Sequence, residues 1–193
     1  MALLIFYTHS EGQGKRSGPS STPPFAVSKL PRCLILRDLA LICALSRLCE
    51  LWVSLTVETD MDPVPGFPPH ASPPSRRIET LKAFRDAGVK TQAAISPFLP
   101  IADVEGFARR LDVACDRVIV DHYLIGDGSK GGLRTKRTDF PKRLEEAGFR
   151  EWTKLEKMRE VQAILRGILG PSGVLESRDG FNAVGGLTGT QTD

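Results

Sequence analysis

Two rhythms of apolar and polar positions alternate along this chain. Leu51 to Thr59, LWVSLTVET, repeats every second residue and is rich in β-branched side chains, which predicts a strand. Val89 to Ile95 and Arg117 to Tyr123 predict two more, and Phe25 to Lys29 a short earlier one. The run Val118-Ile119-Val120 is apolar at both parities, as in a strand buried on both faces of a parallel sheet. The intervening segments follow the helical period. Leu34 to Leu48 carries Ile35, Leu39, Ile42 and Leu45 near one face, and Ser75 to Ala87 carries Ile78, Leu81 and Phe84. Asp103 is placed to cap a helix bearing Val104, Phe107, Leu111 and Ala114. A short helix over Asp139 to Ala147 precedes a longer one, Thr153 to Leu169, with Leu155, Met158, Val161, Leu165 and Ile168 at helical spacing. Two helix exits read alike, Ala87-Gly88-Val89 and Ala147-Gly148-Phe149, each putting glycine where a left-handed cap is wanted.

This order of elements implies an α/β fold, a parallel sheet with crossover helices. About four strands are predicted, whereas a closed (β/α) barrel needs eight. The expected architecture is therefore the later strands of an incomplete, TIM-like barrel, or a small open sheet. Residues 10–24 are rich in Gly, Ser and Pro, so 1–24 is expected to be a poorly ordered leader. The folded domain is expected over 25–181 and a loose Gly/Thr-rich tail over 182–193. Between the strand ending near Thr59 and the next helix, DMDPVPGFPPHASPPS holds six prolines and can join neither a helix nor a ladder. A loop of that length is expected to have a function of its own or to be disordered.

Composition narrows the picture. With 41% apolar and 25% charged residues over 193 positions, the chain is no disordered tract, collagen or disulfide scaffold. A net charge of +3 is too small to argue nucleic-acid binding by itself. The most apolar stretch, Leu34 to Val53, is broken by Arg37, Asp38, Arg47 and Glu50, so no membrane span is expected. Cys33, Cys43, Cys49 and Cys115 match neither zinc-knuckle nor CxxC spacing. They read as buried thiols of a cytoplasmic protein, and no metal ligands are assigned.

Ligands of parallel sheets sit at the carboxyl ends of the strands. Those ends are Glu58-Thr59-Asp60, Ser96-Pro97 and Asp121-His122-Tyr123. Alternation puts Ser54, Thr56 and Glu58 on one face, and Gln92 with Ser96 on one face of the next strand. Asp121 and His122 are neighbours on a strand and point opposite ways, so they cannot act as a direct pair. No catalytic residue is assigned.

The segments WVSLTVETDMDPVPGFPPHASPPSRRIETLKAFRDAGVKTQAAISPFLPI, VIVDHYLIGDGSKGGLRTKRT, EKMREVQAILRG and SKLPRCLILRDLALICAL carry a further pattern. A strand ending V-S-L-T-V-E-T-D is followed by P-G-F-P-P-H-A-S-P-P-S-R-R, then by a strand reading T-Q-A-A-I-S-P-F-L-P. This combination resembles radical-SAM proteins of the spore-photoproduct-lyase-like group, often labelled DNA repair photolyase. The resemblance covers Phe25 to about Val184. It implies a partial (β/α) barrel whose intact form holds a 4Fe-4S cluster on a CxxxCxxC loop. The cluster cleaves S-adenosylmethionine for radical, lyase-type chemistry, as in repair of a DNA lesion. It further implies that Ser54, Thr56, Glu58 and Ser96 line the S-adenosylmethionine site; Gln92, on the face of Ser96, is expected to read the adenine edge or to bond a neighbouring carbonyl, and Lys29, at its strand end, to meet the ligand carboxylate or stand exposed.

The chain departs from that family in having no CxxxCxxC. Cys33, Cys43 and Cys49 are ten and six positions apart, and six residues along a helix rotate by about 600°, which turns Cys43 and Cys49 to different sides. The expectation is a truncated domain, the carboxyl-terminal half alone, inactive in radical chemistry by itself. Two alternatives stand beside it. The six basic residues Lys130, Arg134, Lys136, Arg137, Lys142 and Arg143 could make the chain a nucleic-acid-binding module. Alternatively, the chain is one half of a split barrel, completed by a separately encoded amino-terminal half. His70, in the proline-rich loop, has no readable role.

Overall fold

The computed structural model describes residues 2–6, 26–30, 32–177 and 180. Four parallel strands form the centre of the sheet: β3 (Leu51–Thr56), β4 (Lys90–Ile95), β5 (Arg117–Val120) and β6 (Val174–Glu176). Beyond β3 lie β1 (Ala2–Phe6) and then β2 (Ala26–Leu30), giving the order β2-β1-β3-β4-β5-β6. β1 is antiparallel to both its neighbours, so β2 runs in the same direction as β3.

The helices are α1 (Arg32–Arg37), α2 (Leu39–Ser46), α3 (Pro74–Asp86), α4 (Val104–Ala114), α5 (Tyr123–Gly126), α6 (Leu133–Lys136), α7 (Phe140–Glu146) and α8 (Leu155–Leu169). One apolar core joins the principal helices to one face of the sheet. Leu51, Val53, Leu55, Ala93, Ile95, Val118, Val120 and Val174 face Ile42 of α2, Phe84 of α3, Phe107 and Leu111 of α4, and Val161 and Leu165 of α8. The other face carries Trp52, Ser54 and Thr56 of β3, Gln92 and Ala94 of β4, and Arg117 and Ile119 of β5, which pair across the strands in register. Gly180 rests on that face: a Cβ there would meet Ile119 and Leu175 at about 3 Å.

The two similar helix exits share one geometry. Gly88 at φ +81° sends its N–H to Arg85, and the Val89 N–H reaches Phe84 at 3.0 Å. Gly148 at φ +85° repeats the pattern with Glu145 and Leu144. Both are Schellman caps, in which only glycine takes the left-handed conformation without strain. Asp103 caps α4 as expected, accepting the Gly106 N–H at 2.9 Å.

Three expectations need correction. Ala2–Phe6 is a strand, although a structureless leader is expected over 1–24: its five consecutive apolar residues can fill a place in the sheet. The helix expected over 34–48 breaks at Asp38, whose φ of −96° and ψ of 13° are not helical. Asp is a poor interior helix residue, and here its carboxylate pairs with the adjacent Arg37 Nε at 3.0 Å. The Gly- and Lys/Arg-rich loop expected over 126–139 contains the short helix α6, whereas the helix expected over 139–147 is present as α7. The strand expected from Phe25 begins at Ala26, and the tail expected over 182–193 lies outside the described residues.

Candidate functional site at the strand ends

Buried polar groups mark the face of the sheet opposite the principal helices α2, α3, α4 and α8. Gln92 and Ser54 are both essentially inaccessible, and the Gln92 Nε2 donates to Ser54 Oγ at 3.1 Å. Arg117 Nε donates to Gln92 Oε1 at 2.7 Å, and its guanidinium stacks 3.7 Å above the Trp52 ring. Trp52 in turn donates to Glu50 at 3.2 Å, and Lys90 pairs with Glu50 at 2.9 Å. Ser54, Gln92 and Arg117 thus form one cross-strand row, joined through Leu3 to the register position of Lys29 in β2. Thr56 follows Ser54 on the same face and is half-buried.

At the carboxyl ends the candidate residues part company. Ser96, just past β4, donates to Asp121 Oδ2 at 3.2 Å. Glu58, expected to line the same wall as Ser54 and Thr56, has its carboxylate engaged elsewhere. Arg77 of α3 meets it through Nη1 at 2.5 Å and Nη2 at 3.3 Å, and Arg77 Nη1 also donates to the Thr56 carbonyl at 2.6 Å. Glu58 lies beyond the last residue of β3, where the strand's alternation no longer fixes its direction. Arg77 was not singled out in the sequence. It lies four residues before Leu81 and seven before Phe84, so the helical period carries it to their inward face, where it is 3% exposed.

His70 acquires a place in the same cluster. Its Nε2 lies 3.4 Å from Glu58, and its Nδ1 lies 3.1 Å from Asp62, which also accepts the His70 backbone N–H. This chain of Asp62, His70, Glu58 and Arg77 fastens the proline-rich loop to β3 and α3. The loop is fastened at two further points. Asp60 accepts the backbone N–H groups of Ala102 and Asp103 at 2.7 and 3.0 Å, ahead of α4. Phe67 packs edge-on against Phe140 of α7, with ring centroids 5.7 Å apart. A proline-rich segment with no ladder of its own is thereby held by side chains.

Asp121 and His122 do point apart. Nδ1 of His122 accepts the Leu124 N–H at 3.1 Å, so Nε2 carries the proton and donates to the Trp152 carbonyl at 3.2 Å. Burial lowers its pKa, which favours this neutral form. His122 is a fully buried link between α5 and the turn before α8. Asp121 stands on the side opposite the principal helices. The side chain is half-buried; burial raises its pKa, opposed by the hydrogen bond from the Ser96 hydroxyl. Its Oδ1 is buried without a hydrogen-bond partner among the described residues. Gly126 packs so closely that a Cβ would fall 1.8 Å from that oxygen.

Among the described side chains, Cys43, Cys49 and Cys115 do not converge on one site. Cys33 lies in α1. The Cys43 and Cys49 thiols sit on the Ala87 and Leu45 carbonyls at 4.0 and 3.4 Å. Cys115 is buried on the Leu111 carbonyl at 3.2 Å, its pKa pushed up to about 12 by burial. Among the described residues no group of three or more His, Cys, Asp or Glu side chains is disposed to hold a metal ion. An iron–sulfur cluster, which needs converging thiolates, does not fit this set. Among the described residues no helix is long and apolar enough to cross a membrane.

The fold and the site together define a parallel α/β domain with a polar sheet face opposite its principal helices. Comparisons with protein-family models, with curated proteins and with solved structures each found no match for the chain.

Two outcomes follow from these charges. Arg77→Met leaves Glu58 without its main partner in a mostly buried setting, and should cost about 3 kcal/mol or more in urea unfolding. Asp121 should show the reverse sign. A carboxyl whose folded pKa is raised adds stability below its unfolded pKa and loses it as pH rises through the folded value. Asp121→Asn should therefore melt near the wild-type temperature at pH 4 and several degrees above it at pH 7, read by calorimetry. Equal melting temperatures at both pH values would contradict the assignment of Asp121 as a burdened carboxylate.

Proposed function

We propose that this chain is the later half of a radical-SAM-type (β/α) barrel domain whose polar sheet face binds S-adenosylmethionine. The observation that carries the reading is the buried row of Ser54, Gln92 and Arg117 leading to Thr56, Ser96 and Asp121 at the strand ends. A sheet face packed only for stability would be apolar, because a buried amide costs free energy unless it is hydrogen-bonded. A face left simply to solvent would not bury Gln92 completely. A polar lining of this kind fits a ligand with hydroxyl, amino and carboxylate groups. The V-S-L-T-V-E-T-D and I-S-P motifs, which resemble the radical-SAM group, fall on this face and its rim.

Within the reading, Ser54 and Gln92 fix the floor, and Thr56 and Ser96 offer hydroxyls at the rim. Lys29, on the same cross-strand row, is assigned to the ligand carboxylate. Glu58 acts indirectly, by anchoring Arg77 and the proline-rich loop beside the rim. The cysteines do not fit a 4Fe-4S cluster, so the chain alone binds the sulfonium nucleoside without cleaving it. Radical lyase chemistry, including any repair of DNA, belongs to a complete barrel. A separately encoded amino-terminal half is the partner that would extend the sheet at its outer strands. A cytoplasmic location accords with the reduced cysteines.

Isothermal titration with S-adenosylmethionine should give saturable binding at one site, and anaerobic reconstitution with iron and sulfide should give no stoichiometric cluster absorbance. Absence of saturable binding removes the reading, and a stoichiometric cluster removes its non-catalytic part.

A second reading rests on a different observation. Lys130, Arg134, Lys136, Arg137, Lys142 and Arg143 are all exposed, and among them only Lys142 has an ion pair among the described residues, with Glu146 at 3.6 Å. The surface is pre-formed. Asp127 accepts the backbone N–H groups of Ser129 and Thr135 at 2.8 Å each, and the Ser129 hydroxyl; these bonds hold its carboxyl well below the usual carboxylate range. Ordered basic side chains without counter-charges suit a phosphate backbone. Nucleic-acid affinity should fall linearly with the logarithm of salt concentration, and a triple alanine variant at Arg134, Lys136 and Arg137 should reduce the slope by up to about three. No binding at low salt excludes this reading.

A further inference from the structure

The His70 ring stands between two carboxylates and is only 11% exposed. Its Nδ1 lies 3.1 Å from Asp62 Oδ1, and its Nε2 lies 3.4 Å from Glu58 Oε1. From α3, Arg77 meets the same Glu58 through both terminal nitrogens. The charged groups facing the ring are therefore Asp62 in the loop, Glu58 beyond β3 and, across Glu58, Arg77 of α3. The other carboxylate between them in the chain, Asp60, is turned to the backbone ahead of α4 and to Arg110.

Ionised carboxylates only accept hydrogen bonds. A neutral imidazole has one N–H and one bare lone pair, so it satisfies one of these carboxylates and sets its lone pair against the other. The imidazolium has two N–H groups and satisfies both. It also balances the cluster, setting the ring and Arg77 against Glu58 and Asp62. The observed placement of both ring nitrogens thus belongs to the doubly protonated ring.

The consequence falls on the proline-rich loop. Its six prolines have no N–H to donate, so few backbone groups are left to fasten it. The His70 N–H is one of them, and it donates to Asp62 Oδ1 at 3.3 Å, so that ring and backbone of one residue close on one carboxylate. The other ties of the loop do not depend on the ring. Val64 is buried, Phe67 packs on Phe140, and Thr59 donates to the Pro100 carbonyl.

We propose that His70 is a proton-operated clasp on the proline-rich loop, closed when its ring carries two protons and released when it carries one. The clasp needs a charged ring and ionised carboxylates. It is therefore closed between the ordinary carboxylate range, about pH 4, and the range in which imidazoles titrate, about pH 5 to 8, and it opens as pH rises through the latter. Release is local, because Val64 and Phe67 hold the middle of the loop in place. The freed part is the chain around His70, beside the ends of the strands.

Amide hydrogen exchange on the full chain tests this, read by NMR at about pH 5.5 and about pH 8 and corrected for the intrinsic pH dependence of exchange. Protection of the His70 N–H should fall about tenfold from the lower pH to the higher, the scale of one lost charge-assisted hydrogen bond. The Phe67 N–H, bonded to the Val64 carbonyl at 2.9 Å within its own turn, should keep its protection. The ring nitrogen shifts of His70 should show two protons at the lower pH. His70→Gln leaves the pair of Arg77 and Glu58 in place and should show weak protection of this amide at both pH values. Equal protection of the wild-type His70 N–H at both pH values overturns the proposal, and so does a ring with one proton at the lower pH. A pH dependence that persists in His70→Gln overturns it as well, since it then belongs to other groups. No ligand enters the experiment, so its outcome is separate from that of the S-adenosylmethionine reading.

Discussion

The handedness of the crossovers decides most of what this domain can do. From β3 to β6 each strand is laid on the same side of the one before, so the order never reverses. Right-handed connections then deliver α3, α4 and α8 to the same face, while the short α5 lies against Asp121 on the other. β2 keeps to this direction even with β1 between it and β3, and Ile35 and Ile42, from the connecting helices, enter the same core. An order that reversed would have placed helices on both faces, with the ligand crevice at the reversal. Here one face is consumed by the core, and the opposite face is free to carry Ser54, Gln92, Arg117 and Asp121.

That division explains why polar residues can occupy the centre of a sheet without unfolding it. Ser54, Gln92 and Arg117 are satisfied chiefly by each other across strands, so their burial costs less than isolated amides would. The proline-rich loop solves a related problem. It cannot form regular hydrogen bonds, and its position comes from Asp60 on the start of α4 and from the chain of Glu58, His70 and Asp62 tied to Arg77. The carboxylates of this loop and strand end are spent on architecture.

Local periodicity made the helices and parallel strands legible in the sequence, since an apolar stripe at a spacing of two or 3.6 is set by the chain alone. The two Schellman caps and the Asp103 cap were legible for the same reason: each is decided within six residues. Partner choice was not legible. Alternation carries Ser54 and Thr56 to the polar face, but it ends with the strand, and Glu58 turns to an arginine nineteen residues away. His70 had no reading because both its partners are set by how the loop returns on itself. β6 is three residues long and leaves almost no periodic trace, and β1 pairs with strands that no local pattern can nominate.

The two ends of the polar face are electrostatically unlike. Toward the amino end, Arg117 and Lys90 are positive but lie over the Trp52 ring, and Lys90 pairs with Glu50. Their charge is largely answered in place. At the other end Asp121 is half-buried and accepts from the Ser96 hydroxyl. The row between them is not closed, for Arg117 Nη2 is buried without a hydrogen-bond partner among the described residues, so the burial of this face leaves one cationic and one anionic group each short of a partner at opposite ends of the same strand.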